Sequence, residues 1–321
     1  MATFDPDVER LLEAGRKAGA RPFEALTPEQ ARMAYAASWD ILQPNAEEVA
    51  SVRDVTIKGK GGDLKLRIYR GMDVRPDEKV PCLVYLHGGG WVIGNLESHD
   101  RLCRRFANIA DICIVAVDYR LAPEHPFPAA VDDSVSALSW VNENASKLSI
   151  MPNRIGVGGD SAGGNLAAVL GLMARDGTVP PVIYQALVYP VVDLGADTES
   201  YRTVTGVPLT APTMEYFIEH YAPNAKDRLD WRASPLKAKS LAGSAPALVM
   251  TVTHDPLCDE GRAYARRLEA DGVRVTSLHM SDHMHGMLTH GKLVRVSNII
   301  VDFIGAIIRD ALHYGSPPGK A

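Results

Sequence analysis

The chain has 321 residues, 46% of them hydrophobic and 23% charged, with a formal charge of −5 and an isoelectric point near 6.1. This balance fits a soluble globular protein and argues against nucleic acid or anionic membranes as partners. No run reaches the ~18 apolar residues of a membrane span, and Met1–Asp7 lacks the basic start and apolar core of a signal peptide.

In chain order, residues 1–48 read as helical. Val8, Leu11, Leu12 and Ala14 form one amphipathic patch, and Thr27-Pro28-Glu29-Gln30 combines an N-cap, a first-turn proline and a capping-box glutamine ahead of Ala31, Ala34, Tyr35 and Trp39. From Val52 the pattern changes to alternation, and the Gly59 to Gly62 cluster marks a hairpin. Strands are then expected near residues 52, 63, 82, 112, 154, 183, 247 and 273. Helical runs between them imply a mostly parallel sheet of eight strands. Residues 194–236 break this rhythm: they hold no strand, carry Pro208, Pro212 and Pro223, and contain a helix, Thr213–Tyr221, expected to expose Tyr and Phe residues. A long excursion of this kind at the edge of a sheet serves as a lid or binding element. Residues 298–312 read as an amphipathic terminal helix with Ile300, Phe303, Ile304, Ile307 and Ile308 in its stripe, suited to core packing or to a homodimer contact. The tail from Gly315 to Ala321 is expected to be disordered. The four cysteines, Cys82, Cys103, Cys113 and Cys258, show no C-x-x-C spacing; they read as reduced, which favours a cytoplasmic location.

Chemistry concentrates in four places. His87-Gly88-Gly89-Gly90-Trp91 follows the apolar run Cys82–Leu86. Consecutive glycines cost chain entropy and suit a loop whose backbone N–H groups must approach a reacting atom, as in an oxyanion hole. Gly159-Asp160-Ser161-Ala162-Gly163 lies between a strand-like run and a helix-like run, the setting of a nucleophile elbow. Asp255 follows the buried strand 247–253, and a loop after the strand 273–278 holds His283, His285 and Gly286. Asp255 lies 94 residues after Ser161 and His285 lies 30 after Asp255, in the order serine, acid, histidine.

Other polar residues take structural readings. His87 is a hydrogen-bonder at the base of its loop, Asp160 orients a turn, and Asp118, Glu124, Asp132 and Asp133 form ion pairs, for example with Arg120. Asp282, His283 and His285 lack the helical spacing of a zinc motif, so neither metal nor cofactor is expected.

Taken together, HGGG, GDSAGG, Asp-Pro-Leu with Asp-Glu-Gly, and His-Gly resemble the hormone-sensitive-lipase-like group of α/β-hydrolases, the family IV esterases. Asp118-Tyr119-Arg120-Leu121-Ala122-Pro123-Glu124 and Tyr189-Pro190-Val191 are similar to further signatures of that group, and the resemblance runs from about Val52 to Ile308. It implies an α/β-hydrolase fold with a helical cap built from residues 1–48 and 194–236, over a core of 49–193 and 237–321. It also implies a serine esterase acting on small-molecule esters, with Ser161 as nucleophile, His285 as base and Asp255 as its partner. Ala162 and the glycine loop would supply the oxyanion donors, Gly89 and Gly90 ahead of Gly88. Trp91, Tyr189, Met214, Phe217 and Met287 would be pocket walls. Met287 departs from the family, which has an aromatic residue after its His-Gly. An amidase or lipase could use the same three residues, and preference for esters rests on the resemblance alone. A ligand-binding relative that had lost catalysis would lack one of the three, and all are present.

Overall fold

The structure is a computed structural model that describes residues 3–75 and 77–316. Two helices come first, α1 (Pro6–Lys17) and α2 (Pro28–Leu42), with a 3-10 turn at Phe23–Ala25 between them. The side chain of Asp5 caps α1. At α2 the capping box forms: the Gln30 N–H donates to Thr27 Oγ1 and the Thr27 N–H to Gln30 Oε1. Ala14 and Ala34 face outward rather than joining the buried patches; Val8 and Ala31 carry the burial.

The sheet then forms from β1 (Ser51–Gly59), β2 (Gly62–Arg70), β3 (Val80–Leu86), β4 (Cys113–Val117), β5 (Ile150–Asp160), β6 (Gln185–Val188), β7 (Ala247–His254) and β8 (Val275–Met284). The intervening helices are α3 (Asp100–Ala110), α4 (Ala129–Glu143), α5 (Ala162–Arg175), α6 (Glu199–Thr203), α7 (Ala211–Tyr221), α8 (Cys258–Ala270) and the terminal α9 (Arg295–Tyr314). The spatial order is β1-β2-β4-β3-β5-β6-β7-β8, and only β2 runs against the rest. The hairpin predicted at the glycine cluster closes with Gly59 opposite Gly62.

β3, β4 and β6 are buried throughout, as expected of parallel strands covered on both faces. Their side chains alternate between two cores. Cys82, Val84 and Leu86 join the core that includes α4 and α5, and Leu83 and Tyr85 join the one that includes α3 and α9. This layering brings the ends of β3, β5, β6, β7 and β8 to one edge of the sheet, where the predicted site residues follow.

Several expectations need correction. β8 runs on to Met284, so His283 belongs to the strand end and only His285 lies in the loop beyond. Helix α7 buries Phe217 and Tyr221 rather than exposing them, because they pack on the glycine loop. On α9, Ile300, Ile304 and Ile308 are buried while Phe303 is half exposed, since its position falls off the core-facing stripe. All four cysteines are buried and unbonded. Residues 1 and 2 of the predicted helical segment, and 317–321 of the predicted tail, lie outside the described residues.

Candidate active site

Ser161 occupies the turn between β5 and α5 with φ 57° and ψ −121°, a region that costs an L-residue roughly 1–3 kcal/mol. The turn is possible because its flanks are glycine. A Cβ on Gly163 would lie 1.9 Å from the Leu86 carbonyl oxygen, so the end of β3 passes through space that any side chain would occupy.

His285 Nε2 lies 2.8 Å from Ser161 Oγ, and His285 Nδ1 lies 2.7 Å from Asp255 Oδ2. Asp255 is fully buried, and its other oxygen accepts the Leu257 N–H at 2.9 Å. A carboxylate only accepts, so Nδ1 carries the proton facing Asp255. In the neutral ring Nε2 is then the acceptor for the Ser161 hydroxyl. The Tyr189 ring packs against the imidazole at 4.4 Å between centroids.

The glycine loop is locked by its own polar groups. His87 Nδ1 donates to the Gly88 carbonyl at 2.9 Å, which holds the Gly88–Gly89 peptide and turns the Gly89 N–H to its opposite side. The N–H groups of Val92 and Ile93 both donate to the Gly89 carbonyl. His87 stacks on Tyr119, whose hydroxyl donates to the His87 carbonyl. Burial pushes the His87 imidazole down to about 3, so it stays neutral. The Gly88 N–H donates to Asp160 Oδ1 at 3.1 Å. That removes Gly88 from the expected donors: its proton is committed to a buried carboxylate. The N–H groups of Gly89, Gly90 and Ala162 have no partner among the described residues, and the last sits in the first turn of α5, where helix geometry leaves N–H groups free.

The expected pocket residues divide. Phe217 lies on Gly90, where a Cβ would meet its ring at 2.2 Å, and the Phe23 ring stands 5.8 Å from it. Met214 is buried on the same helix, α7. Trp91 is wholly buried, with its ring stacked on Tyr221 at 4.1 Å, so it braces the loop instead of lining open space. Met287 is fully buried in the core on the α3–α9 side, the same core as Tyr189. His283 Nδ1 contacts Asp282 at 2.7 Å and makes no link to Ser161 or Asp255.

Three of the carboxylates read as structural are paired. Arg120 grips Asp133, Arg32 grips Glu124, and Lys60 meets Asp132. A cavity of about 410 Å³ bordered by Arg32, Tyr35, Trp39, Asp118 and Glu124 contains none of Ser161, Asp255 or His285.

The sequence reading missed several supports of the site. Asn165 donates to the carbonyls of Val191 and Ala233, tying α5 to both ends of the excursion. Glu260 receives the N–H groups of Val192 and Asp193 where that excursion leaves β6. Tyr85 and His99 converge on Asp160. None of these carries a local pattern; only topology brings them together.

Residues 83–289 match the family described as alpha/beta hydrolase fold. The chain belongs to the hormone-sensitive-lipase-like α/β-hydrolases. It is 40% identical over 294 residues to a carboxylic ester hydrolase, LipN, of Mycobacterium tuberculosis, covering 89% of this chain and 77% of the relative. It is 39% identical over 300 residues to an ethyl acetate hydrolase of Pseudomonas putida, covering 91% and 94%. Among solved structures, this member of the family superposes on a hyperthermophilic esterase from the archaeon Pyrobaculum calidifontis with a TM-score of 0.89 and 39% identity, covering 96% of this chain and 98% of that one.

Proposed function

We propose that this α/β-hydrolase is a serine carboxylesterase that cleaves short- to medium-chain esters of small molecules through an acyl-enzyme, without metal or cofactor. The observation that carries this reading is the hydrogen-bonded series from Ser161 Oγ to His285 Nε2 at 2.8 Å and from His285 Nδ1 to Asp255 at 2.7 Å, together with backbone N–H groups that have no partner among the described residues.

In this mechanism Ser161 Oγ attacks the ester carbonyl while His285 takes its proton. Asp255 holds the tautomer and stabilises the imidazolium. The N–H groups of Gly89, Gly90 and Ala162 receive the oxyanion, each donor of this type being worth roughly 3 kcal/mol in the barrier. His285 then protonates the departing alcohol, and water repeats the sequence on the acyl-enzyme.

The cap of residues 1–48 and 194–236 belongs to the same proposal. Its support is the contact of Phe217 with Gly90 and of Phe23 with Phe217, and the hydrogen bond from Thr213 Oγ1 to Glu24 that joins the two segments at 2.8 Å. With Phe217 and Met214 bounding the acyl space, each added methylene shifts selectivity by only ~1–3 kcal/mol, so the preference is graded. The location proposed is cytoplasmic, supported by four unbonded cysteines. No described helix is long and apolar enough to cross a membrane.

The test is kcat/KM across p-nitrophenyl esters from acetyl to palmitoyl, with and without emulsified triglyceride. A maximum at short to medium length, unaffected by an oil surface, is expected. A maximum at palmitoyl, or activation at the oil surface, would replace this reading with that of a true lipase.

A further inference from the structure

The carboxyl group of Asp160, next to the nucleophile, is buried and surrounded by donors. Oδ1 accepts the Tyr85 hydroxyl at 2.9 Å and the Gly88 N–H at 3.1 Å, and His99 Nε2 lies 3.1 Å from Oδ1 and 3.2 Å from Oδ2. His99 is itself buried, and its Nδ1 lies 2.8 Å from Ser98 Oγ.

Proton counting fixes the net charge of the His99–Asp160 pair. Ser98 has one hydroxyl proton, and Oγ lies 2.7 Å from the Asn95 carbonyl, which can only accept. Ser98 Oγ is therefore an acceptor for the Asn95 N–H at 2.9 Å and for His99 Nδ1. A carboxylate facing Nε2 also only accepts. With Nδ1 a donor to Ser98, a single proton lies between Nε2 and the Asp160 carboxyl group, and the buried pair as a whole is neutral. Burial alone would raise the Asp160 carboxyl, but the facing His99 and the Tyr85 hydroxyl outweigh it and hold the group below its ordinary value.

We propose that His99 is a positioning residue for ester hydrolysis, neutralising the Asp160 carboxylate and fixing it so that it holds Gly88, and with Gly88 the oxyanion loop, against the Ser161 turn. This rests on the hydrolase reading above. Asp160 adjoins Ser161 in the chain and grips the first peptide of the glycine loop. It is thus a side-chain link, added to the β3–β5 pairing, between the two backbone segments that supply the oxyanion donors. An uncompensated negative charge there would oppose charge growing on the substrate oxygen. His99 removes that opposition, and it contacts Asp160 and Ser98 through its two nitrogens rather than the reacting atoms.

The test is a cycle of purified full-length variants, His99→Leu, His99→Gln, Asp160→Asn and the two double variants, assayed with p-nitrophenyl butyrate alongside Tm. His99→Leu should lower kcat about tenfold or more with KM within about twofold. His99→Gln, which keeps a neutral donor, should fall between it and the wild type. Adding Asp160→Asn to His99→Leu should recover most of the loss, because a neutral amide still accepts the Gly88 N–H and needs no cation. If His99→Leu does not fold, His99→Gln with and without Asp160→Asn gives the same comparison. Unchanged kcat in the His99 variants, or a loss that Asp160→Asn fails to reverse, overturns the proposal even if Tm falls. Wild-type turnover that survives Ser161→Ala would instead overturn the underlying hydrolase reading.

Discussion

The Ser161 turn and the excursion 194–236 face the same glycine loop, yet they are held in different ways. The turn is determined by backbone sterics: β3 passes so close that a Gly163 Cβ would stand 1.9 Å from the Leu86 carbonyl, and Ser161 is held at φ 57°. The excursion is held by side chains reaching across from other elements. Asn165 holds the Ala233 carbonyl, Glu260 the N–H groups of Val192 and Asp193, and Phe217 rests on Gly90. The first region therefore tolerates almost no added atom, whereas the second can be loosened one contact at a time.

Of these two regions, the turn should show the larger effect, on adding one methyl group. Gly163→Ala forces the β3 end and the elbow apart by more than a rotamer change can absorb, because the clash is with backbone. A displacement near 1 Å costs about 100-fold in activity, so kcat/KM should fall at least that far, with Tm also lowered. Near-normal activity would show that the turn is not sterically fixed. On the excursion side, Phe217→Ala should cost about 3–5 kcal/mol in denaturant unfolding. It should also shift the kcat/KM maximum toward longer acyl chains, while short-ester kcat stays closer to wild type than in Gly163→Ala. An unchanged acyl profile would remove Phe217 from the pocket.

The difference explains what could be read from the chain. Glycine spacing encodes steric necessity locally, so the elbow, the glycine loop and all eight strands were legible from residues a few positions apart. Asp255 and His285 were legible by their order after apolar runs. The supports were not. The hold of His99 on Asp160 spans 61 residues of sequence and that of Glu260 on Val192 spans 68, and no periodicity marks either. The second-choice oxyanion donor, Gly88, failed for the same reason, since its N–H is taken by a carboxylate whose orientation depends on His99.

A further effect, on stability rather than turnover, concerns Glu260. Burial pushes its carboxyl up to about 8 despite the two backbone N–H donors, and Oε2 has no hydrogen-bond partner among the described residues. The folded state then keeps a proton that the unfolded state releases near its ordinary value of 4.5. With more protons bound in the folded state, this group lowers stability as pH rises between those values, by up to about 1.4 kcal/mol per pH unit. Glu260→Gln should flatten that part of the profile in urea unfolding between pH 5 and pH 7.5, a window set by the ordinary and raised values. An identical slope in both proteins would mean that the carboxyl titrates normally and ties the excursion down as an anion.

The roles proposed for Ser161 as nucleophile and His285 as its base can be read from one reaction: treating the protein with a p-nitrophenyl alkylphosphonate and mapping the adduct by peptide mass spectrometry. A single adduct on Ser161 is expected, formed with stoichiometric loss of esterase activity and slowed by about 1,000-fold or more in His285→Ala but not in His283→Ala. An adduct on another residue, or labelling of Ser161 that proceeds at the wild-type rate without His285, would contradict it.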